Sequence, residues 1–380
     1  MKYFLTLIQL WVGFLSICAS YPKANIWIIP SVESPQVYRN YAQTSKVHLE
    51  MARGEVEHIQ LVFPSKVNEE YRFTFDRYLK GIQISARELK KMNGYYDALV
   101  PFKNQLKCTD TLTAVWITVQ CPSRVPVGKY HQTIKIEGSK HFTIQLDYNV
   151  HHTTIPLKSS IPITVGVENR CMTECLNDKE ADKERQRWVD FVLSYRMTPV
   201  FGTQITPERW QYEHSFSPWA WNDKRSIRLL NDRRYSCYML PFFTLSENEL
   251  ASLLCNIQKK GKLKESLFYI WDGPAYMEDY EQIKRKVNII RKYASDARIL
   301  TTFFCGPRNG PRKGDLYAVF DYLKHHIHVA TISLAPCKGN EEEVQHIRYK
   351  VPEGIDWWSY VCWQPGGNEP NFLLQMKGIQ

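Results

Sequence analysis

Between Thr153 and Pro162 the hydrophobic rhythm of the chain changes, and the two rhythms restrict the fold more than any single motif does. Upstream, short runs rich in Val, Ile, Tyr, Phe and Thr recur at 46–51, 55–63, 71–75, 81–85, 114–120 and 130–136. A further run at 142–150 alternates strictly, with Phe142, Ile144, Leu146 and Tyr148 on one face. Arg53-Gly54, Asn93-Gly94 and Pro126-Val127-Gly128 punctuate these runs as turns. Many short strands at this spacing predict a β-sandwich over residues 21–155. Alternation commits every second side chain to a core, so this half reads as support or recognition.

Pro156, Pro162 and Lys158-Ser159-Ser160 read as a linker, after which strands and helices take turns. Strand patterns fall at 161–168, 199–204, 235–243, 298–305, 328–335 and 356–363, and helical patterns at 178–195, 247–259 and 316–326. In the first helix Trp188, Phe191, Val192 and Tyr195 share a face; in the second Leu250, Leu253, Leu254 and Ile257 do. Such alternation implies parallel strands wrapped by helices. With the strand described next the count is seven, so residues 156–380 are expected to form a (β/α)8-type barrel lacking its last strand.

The remaining strand is the focus of the second half. Leu267-Phe268-Tyr269-Ile270-Trp271 is apolar without interruption, as in a strand buried on both faces, and Asp272-Gly273-Pro274 stops it. Tyr280, Ile283, Val287, Ile290 and Ala294 then recur at helical spacing. A single carboxylate, Asp272, is thereby delivered to a strand tip, and in barrels of this kind the carboxyl ends of the strands carry the chemistry. The plainer reading is that Asp272 caps the turn or the helix.

Composition narrows the partners. Met1 to Ser20 has one early Lys2, an apolar stretch and a small-residue end, the layout of a secretory signal peptide, and no later run is apolar enough for an integral membrane span. The net charge of +10 is spread among acids, which describes a solvated basic surface and argues against nucleic acid as a partner. Nine cysteines remain beyond Cys18, so at least one thiol is unpaired within the chain; Cys108 with Cys121 is a candidate bridge. Cys171 and Cys175 lack a second metal-type pair, so no metal is expected. No phosphate loop, zinc helix or nucleophile elbow is present, and no cofactor is expected. His325, His326 and His328 fall at a helix end and the amino side of a strand, where barrel residues serve stability.

Four blocks in consistent order resemble glycoside hydrolase family 123 and its uncharacterised relatives, β-N-acetylgalactosaminidase-like proteins. They are Ala52-Arg53-Gly54-Glu55-Val56-Glu57-His58-Ile59-Gln60-Leu61-Val62; Ala114-Val115-Trp116-Ile117-Thr118-Val119 through Pro126-Val127-Gly128-Lys129-Tyr130; Tyr269-Ile270-Trp271-Asp272-Gly273-Pro274; and Trp357-Trp358-Ser359-Tyr360-Val361-Cys362-Trp363-Gln364-Pro365 with Pro370-Asn371-Phe372. The resemblance implies a glycan partner and a substrate-assisted retaining reaction, in which the sugar's acetamido oxygen attacks the anomeric carbon. Asp272 matches the family Asp that orients and stabilises the acetamido group. Gly273 stands where the family has the Glu that protonates the departing oxygen, so the catalytic Asp-Glu pair is changed to Asp-Gly. Glycine can deliver no proton.

Glu168, at the end of the half's first strand, is the preferred stand-in acid; Glu278, Asp279 and Asp356 are others, and the ordinary role of each is as a cap or surface charge. Trp271, Trp358, Tyr360 and, less directly, Tyr276 and Asn371 are candidate substrate-binding residues, since flat aromatic faces pack on pyranose rings. Ordinary barrel core is the competing role for the tryptophans. Two functions stand: a secreted glycoside hydrolase-like protein acting on terminal N-acetylgalactosamine-type sugars, impaired by Gly273, or a catalytically inactive carbohydrate-binding protein. Oligomeric state is not legible in the sequence.

Overall fold

The protein is seen as a computed structural model that describes residues 25–76, 81–168, 170–206, 209–212, 228, 230–241, 246–271, 273–274, 276–303, 320, 322–333, 342, 345, 348–349 and 351–360. It is β-rich, with several sheets and few helices. The chain divides into two compact units, Met1–Ile155 and Pro156–Gln380. The segment read as a signal peptide lies outside the described residues. No helix among the described residues is long and apolar enough to cross a membrane.

In the first unit the strands are β1 (Trp27–Pro30), β2 (Lys46–Arg53), β3 (Val56–Pro64), β4 (Glu70–Phe75), β5 (Gln83–Met92), β6 (Tyr95–Pro101), β7 (Gln105–Lys107), β8 (Leu112–Gln120), β9 (Gly128–Glu137) and β10 (His141–Thr154). They form two five-stranded sheets, ordered β1-β3-β8-β5-β6 and β2-β10-β9-β4-β7. Alternation decides which side chains are buried. Phe142, Ile144, Leu146, Tyr148 and Val150 of β10 meet Ile59, Leu61 and Phe63 of β3 in one hydrophobic cluster. Fully burying each side chain of that size is worth about 1.5–3 kcal/mol.

The proposed Cys108–Cys121 bridge is not formed, and both thiols are buried and free. The thiol of Cys108 sits beside Ser65 and Thr113 near the start of β8, whereas Cys121 follows its last residue. At about 3.3 Å per residue that strand holds them roughly 25 Å apart, far beyond disulfide reach.

The second unit contains β11 (Thr164–Glu168), α1 (Arg170–Cys175), α2 (Asp178–Ser194), β12 (Thr198–Thr206), β13 (Arg209–Tyr212), β14 (Tyr238–Pro241), α3 (Glu247–Lys259), β15 (Ser266–Trp271), α4 (Met277–Tyr293), β16 (Arg298–Phe303), β17 (Val329–Ser333) and β18 (Asp356–Tyr360). Helix α3 begins where Ser246 and Glu249 form a reciprocal capping box, and it buries Leu250, Leu253, Leu254 and Ile257. Helix α4 buries Tyr280, Ile283, Val287 and Ile290. These apolar stripes cover one side of the strands.

β14 to β18 run parallel in chain order as one five-stranded sheet. β11 pairs in parallel with β12, which also carries the antiparallel β13, in a separate three-stranded sheet. The barrel expected from the strand count is therefore not found as a closed ring: its strands fall into two sheets with no ladder joining them among the described residues. The turn back into β13, which the alternation of strands and helices did not foreshadow, occupies the far edge of β12. One hydrophobic cluster nevertheless runs from Val167 and Val189 through Leu240, Phe268 and Ile299 to Ile332. On α2, Val192 is buried with Val189 and Leu193, while Trp188, Phe191 and Tyr195, expected on the same face, are exposed.

Candidate functional site

In a parallel sheet all carboxyl ends lie along one rim. That rim carries Trp271 of β15, Phe303 of β16, Ser333 of β17 and Tyr360 of β18. Asp272 and Asn371 lie outside the described residues, and so does the side chain of Glu168, whose backbone ends β11 opposite Gly202 of β12. Gly273 is exposed, with φ +54°, and a Cβ built on it would meet no described residue within 4 Å apart from its chain neighbours. Its N–H donates to Thr302 Oγ1 at 2.9 Å, and that hydroxyl lies 3.1 Å from the Tyr269 hydroxyl. The turn after β15 is thus held by a side chain of the neighbouring strand.

The sheet has two unlike faces. Phe268, Ile270, Ile299, Phe303, Ala330, Ile332 and, partly buried, Trp357 join the cluster covered by the helices. Leu267, Tyr269, Leu300 and Val329 form the opposite face with Cys237, and Met239 and Trp358 pack against them. Thr302 and Thr331 follow Leu300 and Val329 by two residues and so share this face. Trp358 and Trp357 are on opposite sides, as the alternation along β18 requires. Trp271 is placed otherwise. A register irregularity between Tyr269 and Trp271 interrupts the alternation, and Trp271 packs on the helix side with the Lys286 ammonium 4.9 Å from its ring centre.

Several acids have structural work. Asp279 accepts the N–H of Tyr276 at the start of α4, while Tyr276 itself is 67% exposed. Glu278, also in that first turn, is exposed. Asp356 begins β18, at the rim opposite Trp271, and bonds Arg298 at 2.7 Å. His328 Nδ1 accepts the N–H of Ile299 at 3.1 Å on that same amino rim. Burial, with Arg291 and Arg298 nearby, depresses its pKa, so the ring favours the neutral form this bond requires.

Other features of the unit do not gather polar chemistry. A cavity of ≈ 530 Å³ beside β11 is lined by Val165, Val167, Met172, Leu176 and Trp188, with almost no polar surface to orient a sugar. Burial pushes the Cys237 thiol up to about 11, which keeps it protonated and a poor nucleophile. No group of three His, Cys, Asp or Glu side chains among the described residues could hold a metal ion.

Sequence reasoning passed over Thr302 and Thr331. Their only signal was a polar residue at an inward position of an otherwise apolar strand, and the facing register that unites them exists only in the folded sheet.

No family model and no curated protein matches the chain. Among solved structures, a family 123 glycoside hydrolase from Clostridium perfringens, reported for glycolipid glycan hydrolysis, aligns with a TM-score of 0.56 at 12% identity. The alignment covers 89% of this chain and 72% of that one. Xylanase10C from Cellvibrio japonicus, in complex with xylopentaose, aligns over 83% of this chain and 76% of its own at 12% identity, but its TM-score of 0.35 carries no argument. The first likeness supports a glycoside hydrolase-like fold.

Proposed function

We propose that the carboxyl rim of β14–β18 is a sugar site and that the protein is a secreted, glycoside hydrolase-like protein acting on terminal N-acetylgalactosamine-type sugars. One observation carries the reading. The turn that follows Trp271 lies at the carboxyl rim of a parallel sheet, in a fold like that of the clostridial family 123 hydrolase. The signal-like residues 1–20 would direct the chain into the secretory pathway.

In the mechanism that fits this reading, Asp272 orients the acetamido group and stabilises the positive charge that develops on it. The acetamido oxygen bonds to the anomeric carbon as the glycosidic oxygen departs with the bonding electron pair. Water then opens the oxazolinium intermediate with retention. The departing oxygen needs a proton, which Gly273 cannot give; Glu168 is the candidate donor from the end of β11. Trp358 and Tyr360 on β18 would supply stacking surface for the ring.

A second reading, a catalytically inactive carbohydrate-binding protein, is favoured by Gly273 itself, which has no side chain to deliver a proton. An aryl β-N-acetylgalactosaminide with an acidic leaving group separates the two, because its departure needs little proton transfer. Turnover of that glycoside is expected, and Asp272→Asn should lower it by on the order of a hundred- to a thousandfold, the usual cost of losing one charge-stabilising group. Binding of N-acetylgalactosamine without turnover would establish the second reading, and neither binding nor turnover would refute both.

A further inference from the structure

Helix α2 carries two apolar stripes. Val189, Val192 and Leu193 are buried in the core, while Trp188, Phe191 and Tyr195, three and four residues apart, line a second stripe in solvent. Their rings meet edge to face, with centres 5.8 and 5.2 Å apart, so the stripe is one continuous surface.

Two bonds set the segment 156–163 beside the end of this row. Arg196 Nε donates to the Pro156 carbonyl at 3.0 Å, and the Thr198 N–H donates to the Ile163 carbonyl at 2.7 Å. Between them Leu157 and Ile161 are 61% and 70% exposed, and Ile163 is exposed as well. Pro156 and Pro162 restrict the loop, and the Ser159 hydroxyl donates to the Ile161 carbonyl at 2.6 Å, which holds it in place with its apolar side chains outward. Contiguous exposed apolar area of this kind marks an interaction surface.

The charges around it decide what it fits. Lys158, within the loop, and Lys262 share the Glu265 carboxylate at 3.6 and 2.8 Å, and Lys260 and Lys264, flanking Lys262 in the chain, are exposed. The acids beside the row on α2 are already engaged, Glu184 by Arg187 and Asp190 by Arg234. The surface is thus apolar with a positive border. Protein interfaces are depleted in lysine. A bilayer instead takes Trp and Tyr at its headgroup level, and each lysine near an anionic membrane strengthens binding about fivefold.

We propose that the loop 156–163 and the aromatic row of α2 form a docking surface for an anionic lipid bilayer, with Leu157, Ile161 and Phe191 entering the headgroup boundary and Lys260 and Lys264 meeting lipid phosphates. The protein then lies on the membrane without crossing it. This surface shares no residue with the sugar-site reading and stands independently of it.

The test is co-sedimentation of the full chain with vesicles of phosphatidylcholine alone and of phosphatidylcholine with phosphatidylserine in equal parts. The wild type should bind the mixed vesicles at least about tenfold more tightly than the neutral ones. Leu157→Ser combined with Ile161→Ser should weaken binding to both by at least about tenfold. Phe191→Ser, on a separate element, should act in the same direction, so a loop variant that folds poorly leaves the test intact. Lys260→Glu combined with Lys264→Glu should remove the preference for the mixed vesicles while sparing binding to the neutral ones. All these side chains are exposed, so the variants should melt with the wild type. Failure of the wild type to bind either vesicle would overturn the proposal and leave the face to a protein partner. Binding indifferent to Leu157, Ile161 and Phe191 would overturn it as well. So would a dimer in sedimentation equilibrium that Phe191→Ser dissociates, which would assign the face to a second copy of the chain.

Discussion

The two rims of the same parallel sheet are built to different standards. At the amino rim, Arg298 bonds Asp356, His328 Nδ1 receives the Ile299 N–H, and the backbone N–H groups of His328 and Asp356 bond Ile299 and His328 carbonyls in turn. Ser266 completes the row by donating to the Lys262 carbonyl at 2.8 Å. At the carboxyl rim Gly273 and Tyr276 are exposed, and below them Thr331 has no hydrogen-bond partner among the described residues. Five strands that share a core therefore end in a row of linked bonds on one side and, among the described residues, in fewer on the other. Among the described residues, the polar bonding of the sheet is thus concentrated at the amino rim, away from the turn proposed to meet a sugar.

The largest expected effect comes from restoring a carboxyl at the open rim. Gly273→Glu places the missing acid next to Asp272, and for a glycoside with a poor leaving group general acid catalysis is worth on the order of a hundred- to ten-thousandfold. The space around Gly273 admits the side chain, although its φ of +54° costs a non-glycine residue about 1–2 kcal/mol. A rate increase on an alkyl β-N-acetylgalactosaminide, with little change on the activated aryl glycoside, is expected from steady-state assays. A folded Gly273→Glu protein with no gain would sever the link between this rim and the chemistry.

The contrast between rims explains what the sequence disclosed. Helix α3 was legible to its last residue because its apolar positions recur at the helical period. The central strand of the second unit was equally plain as an unbroken apolar run. β6 went unread, although Asn93 and Gly94, both at positive φ, form the tight turn that makes it the partner of β5. Its sequence mixes Tyr and Asp with small residues, so period alone did not announce a strand. The division of the strands into two sheets was not legible for a physical reason: strand counting gives number and direction, whereas ladder pairing depends on edges that meet only in three dimensions. Candidate site residues were legible as residue types near strand ends. The packing of Trp271 on the helix side was not, because a run buried on both faces does not say which side a residue takes and a register irregularity follows Tyr269.

A smaller effect separates positioning from stability. Thr302→Val removes the acceptor for the exposed Gly273 N–H, which water can replace, and the bond to the buried Tyr269 hydroxyl, which it cannot, so unfolding free energy should fall by about 1–3 kcal/mol. Turnover of the aryl glycoside should fall further, toward a hundredfold, because displacing a reacting group by about 1 Å can cost that much. Thr302→Ser should recover most of it. A melting temperature lowered by several degrees, with kcat unchanged, would make the carboxyl rim as structural as its counterpart.

The smallest effect belongs to the amino rim. Burial, reinforced by Arg291 and Arg298 and opposed by Asp356, lowers the pKa of His328 below its ordinary value. The unfolded chain therefore takes up this proton at a higher pH than the folded one does. The contribution is fully present above the unfolded pKa of about 6.5 and is lost as pH falls toward the folded value. Protonation would also place a hydrogen on Nδ1, where the ring now accepts the Ile299 N–H. Asn at this position keeps an acceptor oxygen without titrating. Melting temperatures of wild type and His328→Asn should therefore converge between pH 7.5 and 5, with the wild type losing more. Parallel slopes would show that the network of the amino rim does not depend on a neutral imidazole, and the distinction between the rims would then rest on Arg298 and Asp356, an exposed pair that surface electrostatics makes weak.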